Sequence, residues 1–223
     1  MPIFIIGGQK GGTGKSTVAT NLAVALQRAG RDILIVDADR QRTASRWAGR
    51  RQNDEALPSI TATECTGNIF HNLRDLCRRY DDLLVDAGGH DSVELRSALG
   101  IADHLYSPVQ ASQADLETLG TMTELVEQAS AINPRLKAHL LLTRTPTNPS
   151  VSDTRDALEL LATYPAFDIC RAIIRDRKAF KDALFFGKAA IEMADPKAAS
   201  EIDTLANEIM DHAEIRRSEA AVA

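Results

Sequence analysis

Residues 2–17 read PIFIIGGQKGGTGKST, a short apolar run, a glycine-rich turn and the start of a segment with helical period. No other stretch limits the possible folds as tightly. The run PIFII suits a buried strand and is too short for a membrane span or the core of a signal peptide. After Lys15, the residues Val18, Leu22, Ala25 and Leu26 fall on one helical face, and Gly30 stands where a helix C-terminus favours glycine. Gly11, Gly12 and Gly14 let the backbone turn tightly enough to aim successive N–H groups at an anion, aided by the positive end of the helix. This order of strand, turn and helix predicts an α/β fold with a phosphate pocket at the carboxyl end of its first strand.

The remaining chain repeats the alternation. Apolar runs at Pro2–Ile6, Asp32–Val36, Asp82–Val85, His104–Val109, Ala138–Thr143 and Ile169–Ile174 have the near-continuous character of parallel strands buried on both faces. Helices are expected over Lys15–Ala29, Thr43–Arg51, Asn68–Arg79, Ala114–Ala131, Ser150–Thr163 and Ala199–Arg217. Right-handed βαβ units follow, giving an α/β, doubly wound, mostly parallel sheet flanked by helices. The chain of 223 residues fits one domain, expected over residues 1–217, with residues 218–223 as a flexible tail.

Composition narrows the function classes. A net charge of -5 makes any nucleic-acid contact a matter of a local patch. Cys65, Cys77 and Cys170 show no C-x-x-C spacing, so neither a disulfide framework nor a cysteine metal site is expected. With no apolar stretch of spanning length, a cytoplasmic protein is expected.

The turn fits the phosphate-binding pattern G-x-x-x-x-G-K-[ST], except that Gln9 stands at the first glycine and a second lysine, Lys10, precedes Lys15. Gly11, Gly12, Thr13, Gly14, Lys15, Ser16 and Thr17 are the candidate nucleotide-binding residues. Lys15 would reach the β- and γ-phosphates and Ser16 would offer its hydroxyl to Mg²⁺. Gln-Lys-Gly-Gly ahead of Gly-Lys-Ser resembles the deviant Walker A loop of the ParA/MinD family of P-loop ATPases. The segment VDADRQ is similar to that family's Asp-x-Asp-Pro-Gln, with Arg40 in place of proline. The resemblance places Asp37 near the magnesium shell and gives Asp39 the positioning of the attacking water. LLVDAGG ends a strand in an aspartate, the arrangement that holds Mg²⁺ through water, so Asp86 joins Ser16 and Asp37 as a metal candidate. Gly88 and Gly89 could let that loop move when a γ-phosphate arrives. In SPVQASQADLETLG the resemblance points to Asp115, and in LLTRTP to Arg144 as an adenine contact.

The family resemblance also accounts for two lysines. It implies that two protomers sandwich two ATP molecules, with Lys15 acting in cis and Lys10 reaching the phosphates held by the other protomer, so that Lys10, Lys15 and Asp39 are the catalytic set. A compact charge on a flexible stem suits the trans role. ParA-like relatives bind nonspecific DNA as ATP dimers and are stimulated by a ParB-like or cargo-adaptor partner; MinD-like relatives bind membrane. The final helix carries Ile202, Leu205, Ile209 and Ala213 at helical spacing, but Glu201, Asp203, Glu208, Asp211 and Glu214 flank them, which disfavours anionic lipid and favours packing on the core.

The segment from Cys170 to Glu192 resembles the ParA-type arrangement of an arginine-bearing strand end, a helix and a glycine. Arg171, Arg175, Arg177, Lys178, Lys181 and Lys188 outnumber Asp176 and Asp182 there. Arg175, Arg177, Lys178 and Lys181 are the DNA-binding candidates, expected on a face away from the phosphate loop. A second cluster, Arg40, Arg42, Arg46, Arg50 and Arg51, could extend the stripe. Because the loop lies within the first residues, the chain resembles the short ParA class without an N-terminal helix-turn-helix. The expectation is a nucleoid-associated, ATP-bound homodimer that positions a plasmid, chromosome locus or other cargo, with a MinD-like membrane ATPase as the alternative.

Overall fold

The computed structural model of the chain describes residues 1–89, 91–111, 118–148 and 153–222. Seven strands form one parallel sheet: β1 (Ile3–Ile6), β2 (Ile33–Ala38), β3 (Thr61–Glu64), β4 (Asp82–Ala87), β5 (His104–Gln110), β6 (Lys137–Thr145) and β7 (Asp168–Arg175), in the order β3-β2-β4-β1-β5-β6-β7. The described helices are α1 (Lys15–Arg28), α2 (Thr43–Gln52), α3 (Phe70–Leu76), α4 (Val93–Leu99), α5 (Leu119–Ile132), α6 (Asp153–Leu161), α7 (Lys178–Phe186) and α8 (Pro196–Val222), with a 3₁₀ turn at Ala190–Glu192.

Period-two alternation along the strands sorts the core into two layers. Phe4 and Ile6 of β1 face α1, α2, α7 and α8, whereas Ile3 and Ile5 face the layer that holds α3 to α6. Burial on both faces explains why β1, β2 and β4 read as unbroken apolar runs. In α8, Ile202, Leu205, Ile209 and Ala213 are all buried, so the apolar stripe packs on the sheet as expected. That helix runs to Val222, past Ser218.

Two elements differ from the sequence expectation. β3 carries Thr-Ala-Thr-Glu, is half open to solvent and sits at the sheet edge, paired with β2 from Leu34↔Thr61 to Asp37↔Glu64. α4 is a seven-residue helix started by Ser92, whose hydroxyl accepts the Leu95 N–H at 3.1 Å.

Candidate nucleotide site

β1 ends at Ile6 and the chain turns through Gly12 (φ 81°) and Gly14 (φ 97°) into α1. A side chain would be strained at both glycines, which is the physical reason for that spacing. Thr143 on β6 braces the turn, its hydroxyl donating to the carbonyl oxygen of Thr13 at 2.9 Å. The opening of α1 has no side-chain cap and no acidic residue in its first turn, leaving its N–H groups to an anion.

Lys15 is buried, and its Nζ donates to the carbonyl oxygen of Lys10 at 2.6 Å. Burial lowers the pKa of its ammonium, while Asp86 and Asp39 pull the other way. The two loop lysines are therefore coupled within one protomer through the Lys10 backbone.

Asp37 and Asp86 are register partners on β2 and β4, and Asp86 is also the register partner of Ile6 on β1. Strand alternation directs both carboxylates to the α1 side. Asp37 accepts the backbone N–H groups of Asp39 at 3.2 Å and Ser45 at 2.8 Å, and its pKa is raised by burial. Asp86 is fully buried and neither of its oxygens has a hydrogen-bond partner of good geometry, although the nearby Ser16 hydroxyl offsets some of the burial. Desolvation pushes the Asp86 carboxyl up to about 7. A buried carboxylate with two open oxygens beside a serine hydroxyl fits a hydrated Mg²⁺. Asp39, just past the end of β2, accepts the Gln41 N–H at 2.8 Å.

The loop after β4 lies against this assembly. A Cβ on Gly88 would meet Asp39 Cγ at 3.3 Å, and one on Gly89 would meet Gly11 N and Lys10 C at 3.0 Å. The glycines are needed for close approach, since neither has positive φ. Asp115 and the expected helix starts at Ala114 and Ser150 lie outside the described residues.

Beside the loop lies a cavity of about 200 Å³ whose wall includes Thr13, Gly14, Thr17, Arg144, Arg175 and Phe180. Arg144 is exposed and held at φ 52°. Arg177 and Lys181 line the same cavity. The expectation that the basic segment lies on a face away from the phosphate loop is therefore wrong: β7 ends at the same carboxyl end of the parallel sheet as the loop, and its arginines flank the pocket. Sequence reasoning counted Glu201 among the acidic flanks of the last helix and missed its pairing with the basic segment, which it reaches from α8. It is buried, pairs with Arg175 at 3.1 Å and Arg177 at 2.8 Å, and accepts the Arg175 N–H at 2.9 Å. Lys178 pairs with Asp182 and Lys181 with Asp176 on the surface, while Arg171 reaches Asp211 at 3.0 Å. Of the second cluster, Arg51 is buried and bidentate to Glu192, with both bonds at 2.8 Å, whereas Arg40, Arg42, Arg46 and Arg50 are exposed. No helix among the described residues is long and apolar enough to cross a membrane.

Residues 4–190 match the CobQ/CobB/MinD/ParA nucleotide binding domain. The chain belongs to this family. Two similar relatives are each named Maintenance of carboxysome distribution protein A. The one from Halothiobacillus neapolitanus is 28% identical over 206 residues, covering 90% of this chain and 93% of its own. The one from Gloeobacter kilaueensis is 35% identical over 187 residues, covering 82% and 81%. Among solved structures, the ATP complex of a McdA variant from Cyanothece aligns with a TM-score of 0.78 at 17% identity, covering 95% of this chain and 96% of that one. For this ParA/MinD-type domain, membership places the glycine turn, Lys15 and the strand-end aspartates in a nucleotide-binding fold.

Proposed function

We propose that the chain is an Mg²⁺-dependent ATPase of the positioning type, which dimerises around two ATP molecules, binds DNA without sequence preference and carries a cargo through an adaptor that stimulates hydrolysis. The observation that carries the reading is the convergence of buried Lys15 with the carboxylates of Asp37 and Asp86 at the mouth of α1. The two carboxysome-distribution relatives support positioning as the use of that chemistry.

Magnesium, when bound, supplies charge neutralisation between the phosphates. This chain's residues do the rest. The loop N–H groups and Lys15 bind and orient the phosphates, exchanging the Lys10 carbonyl for a phosphate oxygen at Lys15 Nζ. Ser16, Asp37 and Asp86 would hold the metal and its waters. Asp39 would align a water, and Lys10 would reach across the dimer. The pocket lined by Arg144, Arg175 and Phe180 would take the base or ribose.

Equilibrium binding of a fluorescent ATP analogue tests the core of this reading. Lys15→Ala should lower affinity at least about 100-fold, the loss expected for a buried charge-assisted phosphate contact. Binding within threefold of the unaltered chain would remove Lys15 from the nucleotide site.

A further inference from the structure

At the opposite end of the sheet, where β5 and β6 begin, three of the chain's five histidines meet. His104 opens β5, His139 lies near the start of β6 and His212 comes from α8. One ring nitrogen from each lies within 4.8 Å of the others. His104 Nδ1 and His139 Nε2 are 2.9 Å apart, and His212 Nδ1 is 2.6 Å from the Tyr106 hydroxyl oxygen. The three imidazole planes are within 22° of one another.

Several properties separate this cluster from ordinary packing. Three imidazoles from three elements share one small volume, where apolar side chains would fill the space without polar desolvation. Burial pushes His104 and His139 down to about 3 and also lowers His212, so all three are the neutral imidazoles that a metal requires. Cys170, nearby, has its thiol pKa raised by burial and by Glu208, which keeps it protonated and out of the ligand set. A cavity of about 250 Å³, whose wall includes Asp103, His104, Arg135, Lys137, His212 and Arg216, opens beside the cluster. Arg216 is itself occupied by Asp103 at 2.6 Å, and Glu208 and Asp211 face His212.

We propose that His104, His139 and His212 bind one divalent transition-metal ion of the imidazole-preferring kind, foremost Zn²⁺, which staples α8 to the β5–β6 end of the sheet. Imidazole nitrogens sit about 2.0–2.1 Å from Zn²⁺, so tetrahedral ligation places them roughly 3.3 Å apart. The His104–His139 pair is already near that spacing; when the metal enters, the proton between the two rings moves to the other nitrogen of the donor ring, so that both ligate as neutral imidazoles. His212, half-exposed on its helix, closes the set by a side-chain movement of roughly 1–1.5 Å, the difference between the observed 4.8 Å and that spacing. The fourth position faces the cavity and takes water or a small anion, for which Lys137 is a neighbour. Zinc suits the site because it imposes no geometry of its own beyond the ligands offered.

The test uses the full chain without an affinity tag, stripped by a chelator and dialysed. Titration with Co²⁺ should give tetrahedral d–d absorption saturating at one ion per chain, and Zn²⁺ should displace it. Zn²⁺ at about 100 times its Kd should raise the melting temperature by roughly 5–10 °C. His104→Gln and His212→Gln should each abolish the absorption and the shift. His212→Gln is the decisive variant if His104→Gln fails to fold, because His212 is only half-buried. The site is refuted if the unaltered chain shows neither signal, or if His212→Gln keeps both at full size, which would assign the ion to the nucleotide carboxylates.

Discussion

Burial leaves the Asp86 carboxylate with no well-formed hydrogen bond, and that isolation sets a pH dependence. Its folded pKa of about 7 lies above the ordinary 3.8, so the folded chain holds this proton more tightly than the unfolded one. The stabilising share of the protonated form is therefore complete below about pH 4 and is lost as pH rises through about 7. Asp86→Asn, measured without nucleotide or metal, should be more stable than the parent at pH 8, with the gap shrinking steadily toward pH 4. A gap independent of pH in thermal melts would contradict the raised pKa. Mg²⁺ needs the ionised carboxylate, so under the proposed function the same residue that strains the free domain would become a ligand once the proton leaves. Gly89 makes a second point at this scale. A methyl group there would press on the Lys10–Gly11 backbone at 3.0 Å, which cannot yield like a flexible side chain. Gly89→Ala should weaken nucleotide binding about tenfold through a displaced loop. An unchanged Kd in a fluorescence titration would mean that the loop yields freely.

The link between β7 and α8 rests on one carboxylate. Glu201 is 8% exposed and serves Arg175, Arg177 and the Arg175 backbone together. Removing it leaves two guanidinium groups without their partner, at a cost on the order of 2–3 kcal/mol after allowing for the partly open Arg175. Urea denaturation of Glu201→Ala should show that loss, and a midpoint equal to the parent's would show that water replaces the carboxylate without penalty. This link also marks where sequence reading stops. β1, β2, β4, β5 and β6 were legible because burial on both faces writes itself as a continuous apolar run, and α1 because its stripe and Gly30 bound it. β3 was not, since an edge strand of Thr-Ala-Thr-Glu needs β2 beside it more than any apolar pattern of its own. The Lys15 turn was legible from local spacing, and the strand-end aspartates as ends of apolar runs, with the roles of Asp37 and Asp39 supplied by the family resemblance. Glu201 was not, because its role depends on α8 returning across the sheet 24 residues after Arg177, and charge counted along the segment hid the neutralisation.

At the scale of the whole molecule, the dimer and DNA readings hang on how those charges are held. Arg175 and Arg177 are committed to buried Glu201, but Lys178 and Lys181 have side chains 85% and 64% exposed, and their pairs with Asp182 and Asp176 are surface contacts worth little. Phosphates can displace such carboxylates. One protomer of net charge -5 offers few contacts of this kind. Two protomers joined by ATP, each presenting Lys178, Lys181 and Lys188, would give about six phosphate contacts and a log–log salt slope of roughly -5. DNA binding should therefore require ATP and Mg²⁺, ignore sequence and fall steeply with salt. Lys178→Glu combined with Lys188→Glu, neither of which lines the nucleotide cavity, should flatten that slope by about 4 while ATP still binds. Lys10→Ala should bind ATP, remain monomeric by light scattering and lose DNA binding with the dimer, because the contacts add only when two protomers meet. A Lys10→Ala chain that dimerises with ATP would remove the trans lysine, and retention by anionic liposomes in ATP with DNA left unshifted would replace the DNA reading with the membrane one.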